Sequence, residues 1–169
     1  MNLNAPHVLA GDTNVSIDLA QGSEWVLDAV STIRRRLPDS SILVPPTVSE
    51  ELAWLADHAA ETTERRAAHD FLRQHRTWGF RLLHTVPLGD RYVAKIAQRL
   101  LQANLLPVSE ANDAQILAES AALGCSVLLT SDEHLRAVDF QRLTFELGPF
   151  ELIAPVIATP REIVRKFFQ

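Results

Sequence analysis

The sequence contains one cysteine, Cys125, and two lysines, Lys95 and Lys166. A single thiol rules out an intramolecular disulfide framework and fits a reducing compartment. Cys125 sits between a helical run and an apolar run with no base beside it in sequence, which reads as a buried small residue rather than a nucleophile. The two lysines do not follow a strand, so the acidic pair and later lysine of a receiver-type signalling domain are missing. No stretch approaches the roughly 18 apolar residues of a membrane span. The opening "MNLNAPHVLAGD" has no basic segment leading into a long apolar one. A cytoplasmic protein without a membrane partner is the expectation. Phosphate-cradling G-x-x-x-x-G-K-[ST] and G-x-G-x-x-G signatures are lacking as well. Positive charge is also short: 16 Lys and Arg face 21 Asp and Glu, a net charge of -5. The chain as a whole is no clamp for a polyanion, and any nucleic-acid binding has to be local.

What is present is a composition for one compact domain: 169 residues, 47% of them hydrophobic, with no internal repeat or low-complexity tract. Residues 1–169 are expected to form that single domain. Short β-branched and aliphatic runs alternate with longer helical patterns, which indicates a parallel sheet covered by helices. The runs predict strands at about His7–Ala10, Ser41–Val44, Phe80–His84, Ser126–Leu129 and Glu151–Ala154. Helices are expected at about Val15–Leu19, Glu24–Leu37, Thr47–His58, Thr62–Trp78, Asp90–Ala103, Glu110–Leu123 and Pro160–Phe168. Pro160 suits a first helical turn and Gly124 the position just past a helix end. One composition shift stands out, an Arg-rich helical segment at about residues 59–81, which reads as a solvated face with ion pairs or as a substrate surface.

The acids are less ordinary. In "VLAGDTNVSIDL" an apolar strand runs directly into Asp12, Thr13 and Asn14. Open parallel sheets bind ligands beyond the carboxyl ends of their strands, whereas Asp12 or Asn14 is equally suited to capping the next helix. "VPPTVSEELAWLADH" follows the second strand, with Glu51 three and four residues before Trp54 and Leu55. That spacing puts Glu51 on the helix stripe expected to face the protein, and turns Glu50 to the flank. Asp113 precedes Ile116 and Leu117 by the same intervals, with Ser120 and Ala121 extending the stripe. Glu110 and Glu119 carry less information. "VLLTSD" then places Thr130, Ser131 and Asp132 after the fourth strand, on the same sheet edge as Asp12. If the chain reverses its winding between the first and fourth strands, Asp12 and Asp132 flank the crevice. Two carboxylates about 4 Å apart repel by roughly 4 kcal/mol at an effective dielectric of about 20, so several together call for a hard cation, Mg²⁺ or Mn²⁺.

In order and context, "DTN", "EEL", "NDAQILAESAALGCSVLLTSD" and "ATPREIVRKF" resemble the PIN-domain family of metal-dependent nucleases, from about Val8 to Phe167. The resemblance implies an α/β three-layer sandwich with a five-stranded parallel sheet of order 3-2-1-4-5. It carries the family's acids onto Asp12, Glu51, Asp113 and Asp132, as catalytic residues holding Mg²⁺ or Mn²⁺. Supporting hydroxyl and amide groups fall on Asn14, Thr130 and Thr13. It further implies an endoribonuclease acting on RNA, similar to the toxin half of toxin–antitoxin pairs, with an antitoxin protein and a second copy of the chain as partners. The rival is a PIN-like module that binds nucleic acid or protein without cleaving. A dehalogenase-like phosphatase would need a second acid where Asn14 stands. Arg34, Arg35, Arg76, Arg81 and Arg136 are the cations available to guide an RNA backbone. His134, two residues after Asp132, reads as a surface turn residue or a proton-transfer group. Trp78 and "VRKFFQ" are candidates for a dimer or inhibitor interface, with Phe167 expected in the core.

Overall fold

A computed structural model describes residues 6–167. Its five strands are β1 (Val8–Gly11), β2 (Ser41–Val44), β3 (Phe80–Leu82), β4 (Val127–Leu129) and β5 (Val156–Ala158). All neighbours pair in parallel, in the order β3-β2-β1-β4-β5 that the resemblance implies. The central strands are buried on both faces: Leu9, Ala10, Ile42, Leu43, Val44, Leu128 and Leu129 are all at most 3% exposed. A sheet covered on both sides selects continuous apolar runs over alternation.

The covering helices are α1 (Thr13–Ala20), α2 (Glu24–Arg36), α3 (Pro46–His58), α4 (Thr62–Gln74), α5 (Asp90–Gln102), α6 (Ala111–Ala122), α7 (Glu133–Arg136), α8 (Phe140–Leu147) and α9 (Pro160–Phe167). Local chemistry sets many of their ends. Pro46 opens α3 in the first turn, where a missing N–H costs nothing. Helix α2 starts on Glu24 and ends on Arg34, Arg35 and Arg36, charges that complement its dipole. Gly124, at φ +71, follows α6 in the left-handed conformation that ends helices cheaply for glycine alone. Helices α2 and α9 pack on each other, as do α3 with α4, α5 with α6, and α1 with α4. Among the described residues no helix is long and apolar enough to cross a membrane.

Two parts of the chain depart from the sequence expectation. The fifth strand lies at Val156–Ala158, not Glu151–Ala154. A 3-10 turn over Gly148–Phe150 ends on Glu151 in the left-handed region, and Ile153 is 83% exposed. The register is fixed further on, where the Val156 N–H bonds to the Ser126 carbonyl and the Thr130 N–H to the Ala158 carbonyl. Pro155 separates two similar apolar triplets, and hydrophobicity alone does not choose between them. The short helices α7 and α8 went unanticipated, although Asp132 and Asp139 cap them with side-chain carboxylates. The expected end of the last helix at Phe168 and the side chain of Phe167 lie outside the described residues. Trp78 is half-buried and stacks on Phe71 with ring centroids 5.9 Å apart, so it belongs to the packing of the Arg-rich segment.

Candidate active site

The order of strands reverses between β1 and β4, and the crevice of such a sheet opens beyond their carboxyl ends. Both strands there run into an acid. Gly11, the last residue of β1, is buried, and a Cβ on it would meet the Phe80 ring at 3.1 Å, which explains a glycine before the bend. Asp12 follows, tied to β4 by its N–H on the Leu129 carbonyl at 3.1 Å. Its Oδ1 accepts from the Val15 N–H at 2.8 Å, so it caps α1, and its Oδ2 accepts from the Thr130 hydroxyl. The capping and crevice readings of Asp12 therefore hold together. Asp132 caps α7 in the same manner, with Oδ1 accepting from the His134 and Leu135 N–H groups at 2.8 and 3.0 Å. Buried Thr130 links the two acids: its hydroxyl donates to Asp12 and accepts from the Asp132 N–H at 2.9 Å.

Helices α3 and α6 supply the opposite wall. Glu51 accepts from the Thr13 hydroxyl and, through Oε1, from the Asn112 amide at 2.9 Å. The reason given by the sequence for its orientation needs correction. Trp54 is 58% exposed, and the buried face of α3 is Val48, Ser49, Leu52 and Ala56. Glu51 reaches the crevice from the edge of that face beside half-buried Leu55, while Glu50 is exposed. Asp113, by contrast, does continue a buried stripe, since Ile116, Leu117, Ser120 and Ala121 are all at most 2% exposed.

A second acid on α6 does a different job. Glu119 is 3% exposed and accepts from the Thr47 N–H at 3.0 Å and the Thr47 hydroxyl at 2.7 Å, with the Gln115 amide at 3.3 Å. Helix α3 has no side-chain cap of its own, and Glu119 satisfies its first turn from across the interface. This bond sets α3 against α6, and with it Glu51 against Asp113. No local pattern pointed to the partner, which lies on a helix distant in the chain.

Asp12, Glu51, Asp113 and Asp132 all line one cavity of about 340 Å³, with Thr13, Asn14 and Ser131. Two further carboxylates join them, Asp18 of α1 and Glu64 of α4. Asp18 lies one helical turn after Asn14, a signal available in the sequence and missed. Glu64 had no such signal, since only the packing of α4 brings it in. Among the described residues, six carboxylates thus line the cavity and no Lys, Arg or His does. The crowding registers in their acidity. Burial pushes the Asp12 carboxyl up to about 7, against the opposing bonds from Thr130 and Val15, and Asp113 and Asp132 add to the rise. Asp113 is pushed up to about 6 by burial, then by Asp132, Glu110 and Glu51, with His134 as a partial counterweight. His134 itself is an exposed residue of α7 whose Nε2 lies 3.7 Å from Glu110. Cys125 is buried away from this chemistry, its thiol pushed up to about 12 by burial.

The chain matches the PIN domain family over residues 11–141. It belongs to the PIN-domain family. PIN domains are generally nucleases and typically use divalent metal ions. The fold is similar to that of a chain in the crystal structure of VapBC2 from Rickettsia felis bound to a DNA fragment from their promoter. That structure is similar at 13% identity and a TM-score of 0.59, over 90% of this chain and 98% of that one. No curated protein matches the chain.

Among the described residues, no three His, Cys, Asp or Glu side chains are gathered closely enough to enclose a metal ion. Asp12 and Asp132 are held on capping N–H groups and Glu51 on Thr13 and Asn112. The donor chemistry nonetheless suits a hard divalent cation. Among the described residues every charged group lining this PIN-domain cavity is a carboxylate, and burial, with the neighbouring acids adding to it, raises the carboxyls of Asp12 and Asp113.

Proposed function

We propose that this PIN domain is a Mg²⁺- or Mn²⁺-dependent endoribonuclease that hydrolyses RNA phosphodiester bonds, and that it is the toxin of a toxin–antitoxin pair. The observation that carries the reading is the cavity at the β1–β4 crevice, lined among the described residues by six carboxylates and no cationic side chain. Asp12, Asp113 and Asp132 would hold the cation and Glu51 would complete the set. When bound, the cation supplies a lowered pKa for water and charge stabilisation at the phosphate. The chain's own residues do the positioning. Thr130 fixes Asp12 and the Asp132 backbone with one hydroxyl, and Thr13 with Asn112 orients Glu51. Asn14, exposed on the cavity wall, is placed to donate an amide hydrogen bond to a phosphate oxygen. The whole chain acts as one PIN-like domain in the cytoplasm, and a second copy of it completes a homodimer.

The likeness in fold to VapBC2 supports an antitoxin protein as partner, and a small adjacent gene encoding one is the expected genomic setting. The test of the activity is incubation of the pure protein with labelled RNA and Mn²⁺ beside Asp12→Asn and Asp113→Asn. Cleavage by wild type and its loss in both variants is expected. Equal cleavage by all three, or none by wild type over a range of RNAs, would leave a non-cleaving PIN-like binding module as the better reading.

A further inference from the structure

Beside the acidic cavity lies a second one of about 320 Å³, and the two share Asp18 and Ser131 as a common wall. Across that wall the charge changes. Arg136 from the end of α7 and Arg161 from the start of α9 line the second cavity, together with Trp25 from the first turn of α2. The Arg161 guanidinium sits 4.5 Å from the centroid of the Trp25 ring. This pair bridges α2 to α9, yet Trp25 stays 42% exposed and on the cavity wall, so packing does not consume the ring. Glu162, the acid beside Arg136, is turned to its own helix start. It accepts from the Thr159 N–H at 2.7 Å and the Thr159 hydroxyl at 3.0 Å. These bonds, with Arg136 and Arg165 nearby, hold its carboxyl below its usual range.

Of the arginines that the sequence offered for guiding a nucleic acid, Arg34 is engaged elsewhere. Its Nη2 donates to the Thr77 carbonyl at 3.0 Å, ahead of β3 at the far edge of the sheet. Arg136 is beside the acids. A carboxylate-lined cavity repels a polyanion along its whole length except where a cation neutralises it, so an adjoining cationic surface is needed to hold the flanking chain. Guanidinium and indole planes stack on any unpaired base.

Resting on the nuclease reading above, we infer that the Trp25–Arg136–Arg161 cavity is a subsite for the nucleotide adjoining the scissile phosphate of a single-stranded RNA. Arg136 neutralises its phosphate and the Trp25–Arg161 pair stacks its base. Because every base has a stackable face, the subsite selects for unpaired strand more than for sequence.

The test is fluorescence anisotropy with a labelled single-stranded RNA of about twelve nucleotides, a length suited to single-strand sites. The measurements are made in EDTA so that no cleavage intervenes, with the matching single-stranded DNA and the RNA duplex as further arms. Trp25→Ala and Arg136→Ala are each expected to weaken RNA binding by about tenfold, and Trp25→Phe to restore most of the loss. Arg136→Ala should lower the slope of log affinity against log salt by roughly 0.7, whereas Trp25→Ala should leave it unchanged. Arg161→Lys keeps the charge and loses the plane, so it should fall between wild type and Arg161→Ala. Lys95→Ala, at an exposed position of α5 that lines neither cavity, should bind as wild type. Melting curves in the same buffer identify any variant that has simply lost its fold, and Trp25→Phe with Arg161→Lys then carry the result.

Binding that is equal in wild type and all subsite variants, binding lost as much in Lys95→Ala, or no binding by wild type overturns the subsite. Duplex bound as well as single strand also overturns it. A protein that shows the expected variant losses but cleaves nothing with Mn²⁺ keeps the subsite and removes the nuclease reading. One that cleaves while the variants bind as wild type does the reverse.

Discussion

Asp113 and Glu119 share helix α6 and both turn towards the protein, yet they sit in opposite electrostatic settings. Glu119, in the last turn of the helix, accepts from three donors: the Thr47 N–H, the Thr47 hydroxyl and the Gln115 amide. Asp113, in the first turn, is surrounded by acids, with Asp132, Glu110 and Glu51 all raising its pKa. Burial raises both carboxyls; bonds from Thr47 and Gln115 oppose the rise at Glu119, to which Glu50 adds last, and the exposed His134 opposes it at Asp113. An inward acid surrounded by donors is a structural joint. One surrounded by other acids is destabilising until a cation arrives, and that is the mark of a site built for chemistry.

The largest expected difference between the two is in activity. Asp113→Asn should reduce RNA cleavage in Mn²⁺ by on the order of a hundredfold or more, as removal of a group directly engaged in charge stabilisation does. Glu119→Gln should retain most of the turnover at 25 °C. Cleavage lost equally in both would erase the distinction.

In stability the order reverses. Glu119→Ala strands the Thr47 N–H and hydroxyl in a buried interface and should cost about 2–3 kcal/mol in urea unfolding. Asp113→Asn in EDTA should be neutral or stabilising, because it relieves like-charge repulsion. A destabilised Asp113→Asn with an unaffected Glu119→Ala would reverse the assignment.

Metal binding should separate them again. Mn²⁺ at about a hundred times its dissociation constant would stabilise the wild type by about 2.7 kcal/mol, visible as a rise in Tm. The rise should persist in Glu119→Gln and vanish in Asp12→Asn and Asp113→Asn. An undiminished rise in either Asp variant would place the ion elsewhere.

The pH dependence follows from the raised acids. Asp12 is pushed up to about 7 from an ordinary 3.8, so between those values the folded protein binds more protons than the unfolded chain. Stability from this group is fully present below about pH 4, declines as pH rises towards 7 and levels off above it. Asp113, at about 6, contributes in the same direction. Tm in EDTA should therefore fall by a few degrees from pH 5 to pH 8, less so in Asp12→Asn. The smallest effect is expected for Glu50→Gln, a neighbour of Glu51 that faces solvent, with stability within about 0.5 kcal/mol of wild type and cleavage unchanged.

Much of the fold was legible because its signals are local. The parallel sheet could be read from short apolar runs alternating with longer helical patterns, its strand order from the family resemblance, and the positions of Asp12 and Asp132 from acids that closely follow two strands. The orientation of Asp113 followed from helical period, since its stripe is buried without interruption. Glu51 reached the crevice for a reason the period did not contain: Trp54 points to solvent, and the bonds from Thr13 and Asn112 hold the carboxylate. The fifth strand was misplaced because Pro155 divides two apolar triplets that differ only in which one β4 can pair.

By itself the sequence determined which segments are strands and helices in the main, that the sheet is parallel, and that acids stand at its carboxyl edge, since each depends on residues a few positions apart. Only the tertiary structure decided that Glu64 joins the cavity, that Glu119 is a joint between helices, and that Arg136, Arg161 and Trp25 meet beside the acids. Those arrangements depend on groups brought together from distant parts of the chain, whose distances and charges exist only once the helices have packed.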